Sequence, residues 1–311
     1  MTANLQNPIF QDEAKAREWL EARVWPNGPV CPHCGATGDD VTALQGKTHR
    51  PGLYQCASCR EQFTVTVKTV FERSKIPLTK WLAALFLFTA SKKGVSAHQI
   101  HRSLNISYKS AWFLMHRLRE ALRSDHKGQI GGSGKIVEAD ETFIVNRKGK
   151  SVRKGYGHKM AVLSLVERGG NVRSVVLDRV TQQGVEKIIR RNVHHESRLM
   201  TDTAGYYRRN RFGIAEHEKV NHKQGEYAYG DVHVNTLEGY YALFKRGMKG
   251  VYQHCGEQHL HRYVAEFDFR YNTRVGLGFN DFMRAEAAAS AIKGKRLTYR
   301  RPDKHIQPPP Y

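Results

Sequence analysis

The sequence has no apolar run approaching the roughly 20 residues that a membrane-spanning helix requires. Its first residues, Met1-Thr-Ala-Asn-Leu-Gln-Asn7, lack the basic-then-apolar order of a secretory leader. These two absences argue against a spanning helix and lead to an expected cytoplasmic, nucleoid-associated location. Acid is scarce: 29 Asp and Glu stand against 50 Lys and Arg, a net charge of +21 that favours a polyanionic partner. Cysteine is scarce too, with five in 311 residues, which excludes a disulfide-dense framework. There is no internal repeat. A true phosphate loop is also missing. The stretch Gly128-Gln-Ile-Gly-Gly-Ser-Gly134 has no glycine five residues before Gly134, and Ile136 stands where Ser or Thr should follow the lysine. It reads instead as a flexible linker.

What the chain does contain falls into blocks. Residues 1–73 hold a short amphipathic helix (11–23) and the cysteine pairs, and residues 74–127 alternate apolar helical runs with basic residues. After the linker at 128–134, residues 135–292 carry an α/β pattern. A basic tail at 293–311 ends in Pro308-Pro-Pro310 and is expected to be poorly ordered.

Four of the five cysteines form two Cys-x-x-Cys pairs, Cys31/Cys34 and Cys56/Cys59, with 21 residues between them. Four thiolates at this spacing suit tetrahedral Zn²⁺, each pair on a tight turn, and Gly35 supplies the backbone freedom of the first turn. With strand-like stretches between and after the pairs, the layout is a zinc ribbon. Four protein ligands leave no open position, so the zinc is expected to be structural. His33 is expected to be exposed rather than a ligand, and Cys255 an ordinary half-buried thiol.

In the middle block, Pro77-Leu-Thr-Lys-Trp-Leu-Ala-Ala-Leu-Phe-Leu-Phe88 reads as an apolar helix with a Thr79 cap. A helix over 94–104, capped by Ser96, follows. A turn at Asn105-Ile-Ser107 leads into a third helix from Tyr108 to Arg119. Two helices around a short turn predict a helix-turn-helix. Lys109, His116, Arg117 and Arg119 are expected to touch DNA. Trp112, Phe113, Met115 and Leu118 are expected to form core.

The third block predicts strands at 135–145, 158–167 and 171–180, with a hairpin turn at Gly169-Gly170. Then come a helix (182–192), a strand (197–202), a helix (204–211), a short strand near Lys219, and helices from about 232 and 257. Three antiparallel strands followed by alternating helices and strands describe a ribonuclease H-like α/β core, a mixed sheet flanked by helices. Three acids stand out in it. Asp140 lies inside the apolar strand Lys135-Ile-Val-Glu-Ala-Asp-Glu-Thr-Phe-Ile-Val145, Asp202 ends another, and Glu238 sits within a predicted helix. A carboxylate in a buried strand is costly unless a cation neutralises it. Three such acids point to a shared divalent metal. On the first strand Glu138 and Asp140 share a face and Glu141 points the other way. Asn235 stands one turn before Glu238. The tyrosine pairs 206–207 and 240–241 read as core aromatics without a surrounding Arg–His–Arg set, which disfavours a covalent tyrosine recombinase.

These motifs resemble the DDE transposases of bacterial insertion sequences that join an N-terminal zinc ribbon to a DDE domain. The matching pieces are Trp25-Pro-Asn-Gly-Pro-Val-Cys-Pro-His-Cys-Gly35, Val137-Glu-Ala-Asp-Glu-Thr-Phe143, Thr201-Asp202, His233-Val-Asn-Thr-Leu-Glu-Gly239 with Lys245-Arg246, and His259-Leu-His-Arg-Tyr263. The 35 residues between Asp202 and Glu238 match the spacing typical of such enzymes. The resemblance implies Mg²⁺ or Mn²⁺ on Asp140, Asp202 and Glu238, with Asn235 the alternative third ligand because some relatives use Asn there, and with Lys245 and Arg246 on DNA phosphates. It further implies cleavage and joining of double-stranded DNA at inverted-repeat ends and target, by a homodimer or higher oligomer. The competing expectations are a non-catalytic DNA-binding regulator and a nuclease of the same fold that cuts without joining.

Overall fold

The computed structural model describes residues 5–124, 128–152, 154–207, 212–221 and 228–298. The chain forms two compact units. One comprises residues 1–86, 97–121 and 285–311, the other 87–96 and 122–284. The middle block is therefore divided between the units rather than standing alone.

The first unit opens with helix α1 (Glu13–Val24). Asp12 caps it, its Oδ1 accepting from the amides of Ala14 at 2.7 Å and Lys15 at 3.1 Å, and Ala16, Leu20 and Val24 form the buried face. A three-stranded antiparallel sheet follows, β1 (Val41–Ala43), β2 (Tyr54–Cys56) and β3 (Gln62–Phe63), with β2 central. So small a sheet has little core of its own. Trp25, Tyr54 and Phe63 supply it, their ring centres 5.4–5.8 Å apart. Helix α2 (Leu78–Ala90) begins before the expected cap: Thr79 lies inside its first turn, and its amide and hydroxyl both donate to the Glu13 carboxylate. Helices α3 (Ala97–Leu104) and α4 (Tyr108–Ala121) flank the turn read from the sequence, where Asn105 takes a left-handed φ of 48° and the Ser107 hydroxyl accepts from the Ser110 amide.

The second unit is built on a five-stranded sheet of order β6-β5-β4-β7-β8. Strands β4 (Ile136–Asn146), β5 (Lys159–Glu167) and β6 (Val172–Leu177) form an antiparallel meander, and β7 (Arg198–Asp202) and β8 (Glu216–Val220) add in parallel beside β4. The turn at Gly169-Gly170 is as read, Gly169 taking a φ of 74°. Both faces of the sheet are covered, which explains the near-continuous apolar runs of β5. On one face α6 (Asn235–Gly247) and α7 (Leu260–Asn272) pack Leu237, Tyr240, Phe244, Val264 and Phe267 against Val162, Val166 and Val172. On the other, α5 (Gln182–Asn192) places Val185 and Ile189 against Val137, Leu163, Leu165 and Leu199. Helix α8 (Asp281–Ser290), not foreseen, spans the last boundary between the units. Of the helix expected over 204–211, Gly205–Tyr207 form a single 3-10 turn, and residues 208–211 lie outside the described set.

The glycine-rich stretch is a correction. It is not a loose linker: the Ile130 amide donates to the Asn192 carbonyl at 2.8 Å, and the Gly132 amide donates to the Ser197 hydroxyl at 2.9 Å. A Cβ on Gly131, whose φ is 88°, would stand 2.1 Å from that same hydroxyl oxygen. Glycine is there for close approach, not for freedom. Most of the basic tail, 299–311, lies outside the described residues.

Gly247 ends α6 where it meets α7. A Cβ there would sit 2.3 Å from the Phe267 ring and 2.8 Å from the Lys93 carbonyl. Gly247→Ala is therefore expected to destabilise this unit by about 1–3 kcal/mol through overpacking, read as a lower urea midpoint. An unchanged midpoint would contradict the packing described.

Candidate functional site

The four cysteines converge as read. Sγ of Cys31 lies 3.6 Å from that of Cys59, and Cys34 lies 3.6 Å from Cys56. All four sulfurs fall within 4.8 Å of one another, the one such set of three or more ligand side chains among the described residues. Backbone turns make this geometry. The Gly35 amide donates to the Cys31 carbonyl and the Cys31 amide to the Ala36 carbonyl, with Gly35 at a φ of 87°. The second turn has no glycine, and Arg60 takes the left-handed conformation instead, at a φ of 61°. Four soft donors around one point fit tetrahedral Zn²⁺ and leave no open coordination position. Cys255 stands apart, its thiol against the Gly256 carbonyl.

The basic residues of α4 divide. Lys109 is exposed, but His116, Arg117 and Arg119 are buried. The Arg117 guanidinium donates to the Glu72 carbonyl and lies over the rings of Trp81 at 5.6 Å and Phe113 at 5.5 Å. This corrects the expectation for three of the four. They are committed to the interior, while Trp112 and Phe113, expected as core, are only half-buried. The exposed side of the helix pair is made by Arg102, Ser103, Tyr108 and Lys109, with Tyr108 stacked on His98 at 4.2 Å.

In the second unit β4 and β7 run in parallel, with Glu138 beside Met200. Two residues further along both strands bring Asp140 beside Asp202, on the sheet face that α6 covers. Glu238 lies in the first turn of α6, and Lys245 and Arg246 in its last. Burial, then the charges of Asp202 and Glu238, push the Asp140 carboxyl up to about 7, while a backbone hydrogen bond and Lys245 pull the other way. The three predicted acids and Lys245 thus share one electrostatic neighbourhood. Tyr241 fixes the helix to the strand, its hydroxyl donating to the Asp140 carbonyl at 2.6 Å, and the Lys245 ammonium lies 6.0 Å from the Tyr241 ring centre. Asp202 is held by its own turn, Oδ1 accepting from the Ala204 amide at 2.8 Å.

The other acids of β4 are arranged differently. Glu141 faces the α5 side, where the buried Tyr207 hydroxyl donates to it at 3.2 Å, and burial followed by the charges of Asp140 and Asp202 pushes it up to about 8. Glu138 is fully buried and paired with Arg168, Nε to Oε1 at 2.7 Å. Sequence reading passed over Arg168. The available signal was the hairpin itself: a buried Glu138 needs a cation, and the end of the paired strand is the nearest place for one. Asn235, the alternative third ligand, is the first residue of α6 and its amide faces His233 Nδ1 at 3.4 Å.

Comparison with known proteins gives two domain matches. Residues 131–272 match the ISXO2-like transposase domain, and residues 11–62 match the transposase zinc-ribbon domain. Together the two domains define a transposase. The chain thus combines two domains similar to those of ISXO2-like transposases, with the zinc ribbon at the N-terminal side. It is also similar to a Halobacterium salinarum protein described as an uncharacterized protein in transposable element ISH50, 27% identical over 280 residues that span 84% of this chain and 91% of the relative. The first match contains Asp140, Asp202, Glu238, Lys245 and Arg246, and the second contains all four clustered cysteines.

Two outcomes follow. Cys56→Ser removes one of four donors, so zinc released by a thiol reagent should fall from about one ion per chain to near none; wild-type protein with four freely titratable thiols and no zinc would contradict the cluster's role. Arg117→Ala should lower the unfolding free energy by about 1–3 kcal/mol, because a buried, hydrogen-bonded side chain is lost. A variant of unchanged stability that instead lost DNA affinity would return Arg117 to the surface.

Proposed function

We propose that this transposase binds the terminal inverted repeats of its element, cleaves the DNA at those ends and joins the 3′ ends to target DNA. The observation that carries this reading is that Asp140 on β4 stands near Asp202 at the end of β7 and Glu238 in the first turn of α6, its carboxyl pushed up by burial and then by the charges of those two acids. Hard carboxylate oxygens concentrated in this way suit Mg²⁺ or Mn²⁺ rather than a soft metal. The sheet order, an antiparallel meander extended by two parallel strands, supports a ribonuclease H-like assignment.

Asp140, Asp202 and Glu238 would hold the divalent ions. Bound there, the ions would supply activation of water or of a 3′-hydroxyl and stabilisation of the leaving oxygen. Lys245 and Arg246, exposed on the last turn of α6, would hold the backbone phosphates that place the scissile bond against the acids. The zinc ribbon would remain structural. The pair α3–α4, read as a helix-turn-helix, would contact DNA through Arg102 and Ser103 at the end of the first helix and Tyr108 and Lys109 at the start of the second. Binding two ends at once calls for a dimer or higher oligomer.

Asp140→Asn and Asp202→Asn keep size and remove charge, and Glu238→Gln does the same. Each is expected to fold and bind end DNA yet lose strand transfer by about a thousandfold or more. Glu141→Gln, on the opposite face, should retain most activity. The measurement is joining of labelled end DNA to a target plasmid in Mg²⁺. Near-normal joining by Asp202→Asn would overturn the proposal. Loss with Asn235→Ala but not Glu238→Gln would move the third ligand one turn.

A further inference from the structure

Helix α6 delivers Glu238, yet its start is unusual. The residue preceding it is Val234, which has no side chain able to satisfy the free amides of the first turn. The missing cap comes from the neighbouring strand. Glu138, two residues before Asp140 and on the same face of β4, accepts from the Leu237 amide at 3.0 Å through Oε2 and from the Thr236 hydroxyl at 2.8 Å through Oε1. Oε1 also takes the Arg168 Nε at 2.7 Å. Both oxygens are therefore engaged, and the side chain is fully buried.

Arg168 completes the clamp. Its Nη1 donates to the Asp231 carbonyl at 2.7 Å, and its Nη2 reaches both the His233 carbonyl and His233 Nδ1 at 2.9 Å. One guanidinium thus joins β4 to the segment that leads into α6. A negative charge at a helix N-terminus is favourable in its own right. Glu238 is the residue immediately after Leu237. The next fixed point along the helix is Tyr241, bonded to the Asp140 carbonyl. Glu238 thus lies between two anchors, both on the strand that bears Asp140.

We infer that Glu138 is the positioning residue of this site: clamped by Arg168, it caps α6 from β4 and sets the height at which Glu238 faces Asp140. The inference rests on the reading of those acids as a divalent-metal site. Glu138 itself is fully buried with both oxygens hydrogen-bonded to the clamp, and it acts through Glu238.

The test uses the full chain and Mn²⁺ alone as probe, its binding followed by electron paramagnetic resonance, with hydrogen exchange read in parallel. In Glu138→Gln, exchange at residues 235–240 should rise at least about tenfold while the sheet keeps its protection, and Mn²⁺ affinity should fall about 10–100-fold. Thr236→Val should move both in the same direction by less, and it decides the matter if Glu138→Gln does not fold. In a Glu238→Gln background, adding Glu138→Gln should change Mn²⁺ affinity less than about twofold, because the two act on one ligand. Additive losses, or unchanged affinity in both Glu138→Gln and Thr236→Val beside wild-type protein that binds Mn²⁺, would overturn the inference. Wild-type protein that bound no Mn²⁺ would remove the metal reading beneath it.

Discussion

Three carboxylates in four consecutive residues of a central strand are the constraint around which the second unit is arranged. Each carboxylate removed from water costs several kcal/mol unless it is paired or protonated. Strand β4 carries Glu138, Asp140 and Glu141, and each meets that cost in its own way. Glu138 is neutralised by Arg168 and by the first turn of α6. Glu141, on the other face, is pushed up to about 8 and receives a hydrogen bond from the buried Tyr207. Asp140 stands beside Asp202: burial and then that charge push its carboxyl up to about 7, against a backbone hydrogen bond and Lys245, and in the proposed reading a bound cation would stabilise its charge.

The same constraint explains why the two sheet faces are unequal. The α5 face is closed by aliphatic side chains with Tyr207 and Phe212, and Arg173 ties it to the Asn192 side chain at the end of α5. The α6–α7 face carries polar ties as well: Asp268 accepts from the Tyr240 hydroxyl at 2.6 Å and from the Ser174 hydroxyl at 2.7 Å, binding α7, α6 and β6 together. Buried polar networks rigidify when every member is satisfied. A site that must hold metal ligands at fixed separation benefits from that rigidity, and the network lies behind the helix that carries Glu238.

Much of this was legible in the sequence, and the failures have physical causes. The cysteine pairs were readable because ligand spacing is a local property. The strands were readable because burial on both faces writes long apolar runs. The side on which Glu138, Asp140 and Glu141 point followed from the two-residue period of a strand. Three readings went wrong for lack of tertiary information. Arg117 looked like a DNA contact, but an arginine stem is apolar enough to lie over Trp81 and Phe113 in the interior. Gly131 looked like linker, but its hydrogen atom is what lets the backbone pass Ser197. Thr79 looked like a cap, but its hydroxyl is taken by Glu13, 66 residues away in sequence. The clamp of Glu138 by Arg168 was missed because the partner lies 30 residues away, and only the pairing of β4 with β5 brings the two together.

The central claim is that Asp140, Asp202 and Glu238 form one divalent-metal site. Anomalous diffraction from crystals grown with Mn²⁺ tests it most directly. The account predicts an anomalous peak with oxygens of Asp140 and Asp202 at about 2.1 Å and Glu238 drawn in beside them. A well-ordered site without such a peak, or Mn²⁺ bound on carboxylates elsewhere in the chain, would contradict it.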